Sequence, residues 1–290
     1  MRVTDRSNYM NFLNGLERTR EDLARAGEQL ADGKRVRRMS DDPAQAPIAL
    51  ALRGRLAALE GYGNSASAAT TDLNAVDQAL SEVSNILSSA RAEATAGASG
   101  TSSSANEARA AKIDALRAQL LSVANLQQGG RYLFAGTATQ TQPFLSDGTY
   151  QGNTTEADAP VDTNETVAST VSGQRAFKDG GDLVAHLTDL AAALRQGRLT
   201  DVATAASTLR GDIDRIGALH AEIGARLATL DDVQQRHADE STRLTGRISQ
   251  IEDADLATAA VQLQQAQTSQ SALAATAAKT LGRSLFDYLG

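Results

Sequence analysis

Apolar residues recur in alternating steps of three and four along most of this chain. The first run passes through Tyr9, Phe12, Leu16, Leu23 and Leu30, the spacing of a heptad seam on one helix face. Asp32-Gly33 closes it, since glycine readily supplies the left-handed residue that ends a helix. A second run, through Ile48, Leu52, Leu59, Leu73, Leu80, Leu87 and Ala90, predicts a helix over 44–96, about 80 Å long at 1.5 Å per residue. Before it stand Ser40, Asp41, Asp42 and Pro43. These supply candidate cap oxygens and a proline for the first helical position, where a missing N–H costs nothing.

The stretch GASGTSSSANE reads as a turn. A third helix, with Arg109, Ile113, Leu116, Leu120, Val123 and Gln127 on one face, stops at Gly129-Gly130 and folds back antiparallel on the second. A short helix from Asp182 to Gln196 precedes another long pattern, Ala206 to Ile251. The sequence IEDAD interrupts that pattern. Leu256, Leu263 and Leu273 resume it, and the register shifts to Leu281, Leu285 and Tyr288.

Between the helical halves, residues 131–181 change character: Phe, Tyr, Val and Thr alternate with Gly, Pro and Asp. Asp147-Gly148, set between QPFLS and TYQ, is a hairpin signal. The fold expected is mainly α: a long antiparallel helical bundle with a small β-rich insertion. Its terminal segments lie near each other, at the opposite end from the insertion.

Composition narrows the function. The formal net charge is −7, which argues against nucleic acid as a main partner. The basic run Lys34, Arg35, Arg37, Arg38 is followed at once by Asp41 and Asp42 and reads as a solvated turn. Cysteine is absent, which excludes disulfides and thiolate chemistry. No apolar run reaches membrane-spanning length, and MRVTDRSNYMNF lacks the continuous apolar core of a secretory signal. The expectation is a cytoplasmic protein or one exported by a route that does not read such a signal. Against this polar background the final residues, TLGRSLFDYLG, crowd Leu281, Leu285, Phe286, Tyr288 and Leu289 together.

Candidate chemistry is sparse. His186, His220 and His237 have no second histidine at metal spacing, and HADE at 237–240 is not HExxH. His220 and His237 fall on the seam as structural histidines. Asp41/Asp42 and Asp231/Asp232 read as capping or solvated carboxylates, because an acid–base dyad needs a concave site. No catalytic, cofactor or metal constellation is found, so the expectation is a protein without enzymatic activity or cofactor.

MSDDPAQAPIAL, RYLFAGTATQTQPF, IEDADLATA and the terminal SLFDYLG together resemble the flagellin superfamily. Within it they resemble the bacterial hook-associated proteins of type 3, which join hook and filament. GEQLADGKRV and SDDP stand in the family's order at 27–43. The ending SLFDYL resembles junction proteins, whereas flagellins finish on an LSLL-like tail. The resemblance covers residues 1 to about 144 and about 245 to 290.

The resemblance implies terminal coiled-coil segments (D0) at 1–40 and 255–290, a helical bundle (D1) at 41–130 and 182–254, and a reduced β-rich domain (D2) at 131–181. It implies export unfolded through the flagellar type III apparatus, so an extracellular location. It also implies self-assembly into a ring between another hook-associated protein and flagellin, and a chaperone on the C-terminal segment. No nucleic acid or membrane partner is expected.

The assembly seam is expected to comprise Tyr9, Phe12, Leu16, Leu23, Leu30, Leu256, Leu263, Leu273, Leu281, Leu285, Phe286, Tyr288 and Leu289. It would stay unpaired in the monomer and order when neighbours cover it. Residues 1–40 carry nine basic and six acidic groups (+3), and 250–290 carry two and four (−2), which weakly favours pairing of the ends. Flagellin itself, or a cytosolic coiled-coil adaptor, are the alternatives. The adaptor predicts a stable free oligomer with ordered termini.

Overall fold

A computed structural model describes residues 2–100 and 102–289, without the side chains of 2–6, 8, 9 and 278–289. Among the described residues the helices are α1 (Arg2–Asp32), α2 (Ala46–Ala98), α3 (Ser103–Ala124), α4 (Leu183–Arg195), α5 (Leu199–Glu252) and α6 (Leu256–Leu289). Two antiparallel ribbons, β1 (Gln127–Gln128) with β2 (Arg131–Tyr132) and β3 (Asp158–Asp162) with β4 (Glu165–Ala168), and a π-helical turn at Gln174–Lys178 complete the regular structure. The fold is mainly α with a small β region.

The chain forms two compact units, one of residues 1–57 with 240–290 and one of residues 58–239. In the second unit, α2 and α5 run antiparallel, as three cross-helix pairs show. Asp77 Oδ1 lies 2.7 Å from His220 Nε2, Gln234 Nε2 donates to Ser67 Oγ at 3.4 Å, and the rings of Tyr62 and His237 are 6.4 Å apart. The apolar spacing of α2 buries Leu73, Leu80 and Leu87 completely. Leu187 and Leu190 of α4 and Leu209 and Leu230 of α5 join the same core.

Helix ends follow their caps. Ser102 Oγ accepts from Ala105 N to open α3, and Asp182 Oδ1 accepts from Val184 N and Ala185 N to open α4. The third helix departs from the sequence expectation. It ends at Ala124, and Gly129-Gly130 is instead the two-residue loop joining β1 to β2. Both glycines have positive φ, +56° and +77°, as a type I′ hairpin turn requires. Asn125 replaces them as the stop. Its amide Nδ2 donates to Phe144 O at 2.9 Å, and its Oδ1 accepts from Phe144 N at 2.9 Å.

Residues 131–181 belong to the core of the second unit rather than standing apart. Phe134, Phe144 and Phe177 are fully buried, with Phe177 edge-on to both others at 5.0 and 5.2 Å. Tyr150 joins this cluster, its ring 5.1 Å from that of Phe144. Gly173 is obligatory there, because a Cβ would sit 2.6 Å from Tyr150 and 2.7 Å from Phe144.

Candidate assembly surface

In the first unit, α1 and α6 pack against each other. The two terminal segments, expected from the sequence to lie near each other, run side by side. The physical reason is the small residues: Ala26, Ala259 and Ala266 are buried to 2%, 2% and 7% exposure, and alanine lets two helices approach closely with little side-chain entropy to lose.

The pairing covers the seam incompletely. Phe12, Leu16, Leu23, Leu30, Leu263 and Leu273 are half-buried. Leu256 is 51% exposed, because it opens α6 beside Asp255, whose Oδ1 caps Ala257 N at 3.0 Å and Thr258 N at 3.3 Å. Met10 and Val261, which the heptad count passed over, are also exposed, at 53% and 57%. The side chains of Tyr9, Leu281, Leu285, Phe286, Tyr288 and Leu289 lie outside the described residues. Two helices alone bury one stripe each, so further apolar surface remains available to a neighbour.

The motif Ser40–Pro43 forms the turn that leads into α2. Asp42 Oδ1 accepts from Gln45 N at 3.0 Å, and Asp41 Oδ2 accepts from the amides of Arg37 and Arg38 at 2.9 and 2.8 Å. These two amide bonds hold Asp41 below the usual carboxylate range, and the Arg35 hydrogen bond does the same for Asp42. Pro43 and Ser40 lie in the turn itself, and α2 begins at Ala46.

The basic run is a solvent-exposed turn, as its sequence suggested, with Arg35, Arg37 and Arg38 all exposed, and three of its charges are paired on the surface. Lys34 pairs with Asp253 at 2.5 Å, Arg35 with Asp42 at 3.1 Å, and Arg37 with Asp32 and Glu28. Sequence reading missed Arg53 and Glu252, which meet at 2.5 Å. Their signal was the acidic IED at the interruption, which only the fold places opposite a basic turn.

The histidines serve structure in different ways. His186 Nδ1 lies 2.7 Å from Asp212 Oδ2. His237 is buried with neither ring nitrogen hydrogen-bonded. Among the described residues, no three His, Asp or Glu side chains converge as a metal site, and no helix is long and apolar enough to cross a membrane.

Comparison with known proteins gives this arrangement a context. The family model for the bacterial flagellin N-terminal helical region matches residues 3–139. Flagellar hook-associated protein 3 of Escherichia coli K12 is 28% identical over 282 residues, covering 88% of this chain and 89% of that protein. The chain is similar in sequence, over most of its length, to flagellar hook-associated protein 3. The Salmonella typhimurium LT2 protein of the same name is 27% identical with the same coverage. Among solved structures, FlgL of Bacillus cereus superposes with a TM-score of 0.61 at 20% identity, covering 69% of this chain and all but 1% of its own (99%). The flagellar junction protein FlgL of Legionella pneumophila gives 0.60 at 15% identity, with 69% and 99% covered. A Vibrio parahaemolyticus protein described as hook-associated gives 0.68 at 21%, with 73% and 100% covered. The structural likenesses speak to the fold, and the similar proteins are named as hook-associated proteins of the flagellum.

Proposed function

We propose that this protein is a structural subunit joining the flagellar hook, through another hook-associated protein, to the flagellin filament. It is exported unfolded, held beforehand by a chaperone on its C-terminal segment, and polymerised at the distal end. In that state 1–40 and 255–290 act as the D0 pair, 41–130 and 182–254 as the D1 bundle, and 131–181 as a reduced D2. The observation that carries the reading is the half-buried α1/α6 pair in a chain similar to hook-associated protein 3. Each half-buried Leu or Phe stands to gain part of the roughly 1.5–3 kcal/mol of full burial when neighbouring copies close over it. That gain offsets the loss of freedom on joining the ring. No residue is assigned a catalytic role.

Deletion of the gene tests this, with complementation by the full chain and by a truncation ending at Gly282. The expected result is hooks without filaments and flagellin in the medium, restored by the full chain and not by the truncation. Normal filaments in the deletion strain would sink the proposal. A flagellin role is favoured by one observation, the match of residues 3–139 to the flagellin region. Copy number separates the two: a flagellin would dominate sheared filaments, and a junction subunit would be a trace component.

A further inference from the structure

Two breaks interrupt the helices of the first unit, one between α1 and α2 and one between α5 and α6. Left alone, each would be a free hinge. The structure ties them together. Arg35 N and Val36 N donate to Glu252 O at 2.6 and 3.2 Å, and Ala254 N donates to Gly33 O at 2.9 Å. Lys34 and Asp253 face each other as an antiparallel bridge. The Arg35 guanidinium reaches across to Ile251 O at 2.7 Å.

Beneath this backbone clasp lies one carboxylate. The Glu252 side chain is 4% exposed, with Arg53 Nη2 donating to its Oε2 at 2.5 Å and Lys34 Nζ 3.7 Å away. The backbone bonds need no particular side chain at 252. Burying a carboxylate is costly unless its partners are in place, and an apolar residue would fill the space as stably. What the charge adds is conditionality: it is tolerated only when the 33–36 turn, the start of α2 and the end of α5 all meet.

We propose that Glu252 is a positioning residue that locks the two breaks into one joint, so that α1 and α6 are set as a pair, and that assembly requires the lock. The second half of this statement rests on the axial-subunit reading above. The residue has no part in forming the helices themselves, which have their own spacing and caps.

The experiment pairs Glu252→Gln with Arg53→Gln, the latter changing a side chain that is 58% exposed and therefore tolerant of substitution. Asp22→Asn, at a carboxylate of α1 that is 65% exposed and outside the joint, is the control. Hydrogen exchange of the purified chain is followed at the amides of Arg35, Val36 and Ala254, with α4 amides as reference. Both variants are expected to speed exchange at the three joint amides roughly tenfold, the size of change a lost charge-assisted contact produces. The α4 amides, and the joint amides of the Asp22→Asn protein, should be unchanged. In cells lacking the gene, both variants should restore fewer filaments than wild type. Unchanged joint exchange in both variants overturns the lock. Faster exchange with full filament recovery overturns its requirement in assembly. If wild type itself restores nothing, the axial reading fails, and the exchange result still decides the lock.

Discussion

Arg226 on α5 donates through Nη2 to Glu156 Oε2 at 2.9 Å, joining a helix to the loop seventy residues away that leads into β3. The same guanidinium donates to Ala168 O and Thr170 O at 3.3 and 3.2 Å, and to Glu222 Oε1 at 2.8 Å. Arg175 completes a four-membered ring by bonding both Glu156 and Glu222. Arg226→Met should cost about 1–2 kcal/mol, because Glu156, 17% exposed, loses its best-buried partner while the more exposed Arg175 and Glu222 are screened by solvent. Urea unfolding measures it, and exchange at the β3–β4 amides should rise first. A loss under half a kcal/mol would place the anchorage of the β region in its apolar core alone.

Acid should weaken the α2–α3 contact through Glu93. Its carboxyl takes hydrogen bonds from Lys112 Nζ at 2.6 Å and Arg109 Nη1 at 2.7 Å. The Lys112 bond is the main cause of its position below the usual carboxylate range, with partial burial opposing it. A folded-state value lower than the unfolded one gives stability that is complete above the unfolded value, about 4.3, and lost as pH falls through the folded one. Glu93→Gln should therefore lower stability at neutral pH and flatten the acid limb of the stability curve. Parallel curves for the two proteins would exclude Glu93 as a contributor.

Asn125 is predicted to matter more than a surface amide. Asn125→Ala strips Phe144 N of its acceptor, whereas Phe144 O keeps Gln142 Nε2 at 2.9 Å. One orphaned buried donor costs about 1–3 kcal/mol, readable as a shift in thermal midpoint without loss of helical circular dichroism.

Glycines give a signed pair of expectations. Gly173→Ala forces a methyl against Phe134 O at 2.8 Å and two aromatic rings, an overpacking expected to cost about 1–3 kcal/mol. Gly217→Ala, mid-helix in α5 with open space around it, should stabilise by about 0.5–1 kcal/mol. Equal signs in denaturant titrations would contradict the packing described for the aromatic cluster.

On the terminal pair, Ala26→Leu pushes a large side chain into a buried contact with 2% exposure. Exchange along α6 should rise while α4 is unaffected. Protected α6 amides in this variant would show that the alanine stripe is not what brings the helices together.

The heptad spacing, the caps and the interruption at IEDAD determined by themselves where the helices run, because each rests on contacts within a few residues. Asp182 opens α4 and Gly33, at φ +66°, follows α1, both readable from local chemistry. Gly129-Gly130 was ambiguous at that level, since a helix stop and a type I′ turn ask the same freedom of φ. Only the tertiary structure chose the hairpin, by giving Asn125 the backbone of Phe144 to hold. The same holds for the basic turn at 34–38 and the acidic break at 252–253. The first read as a charged turn and the second as a break in a helix, and only the fold brought them together across more than two hundred residues. Electrostatic pairing depends on distance in space, which periodicity along a chain does not encode.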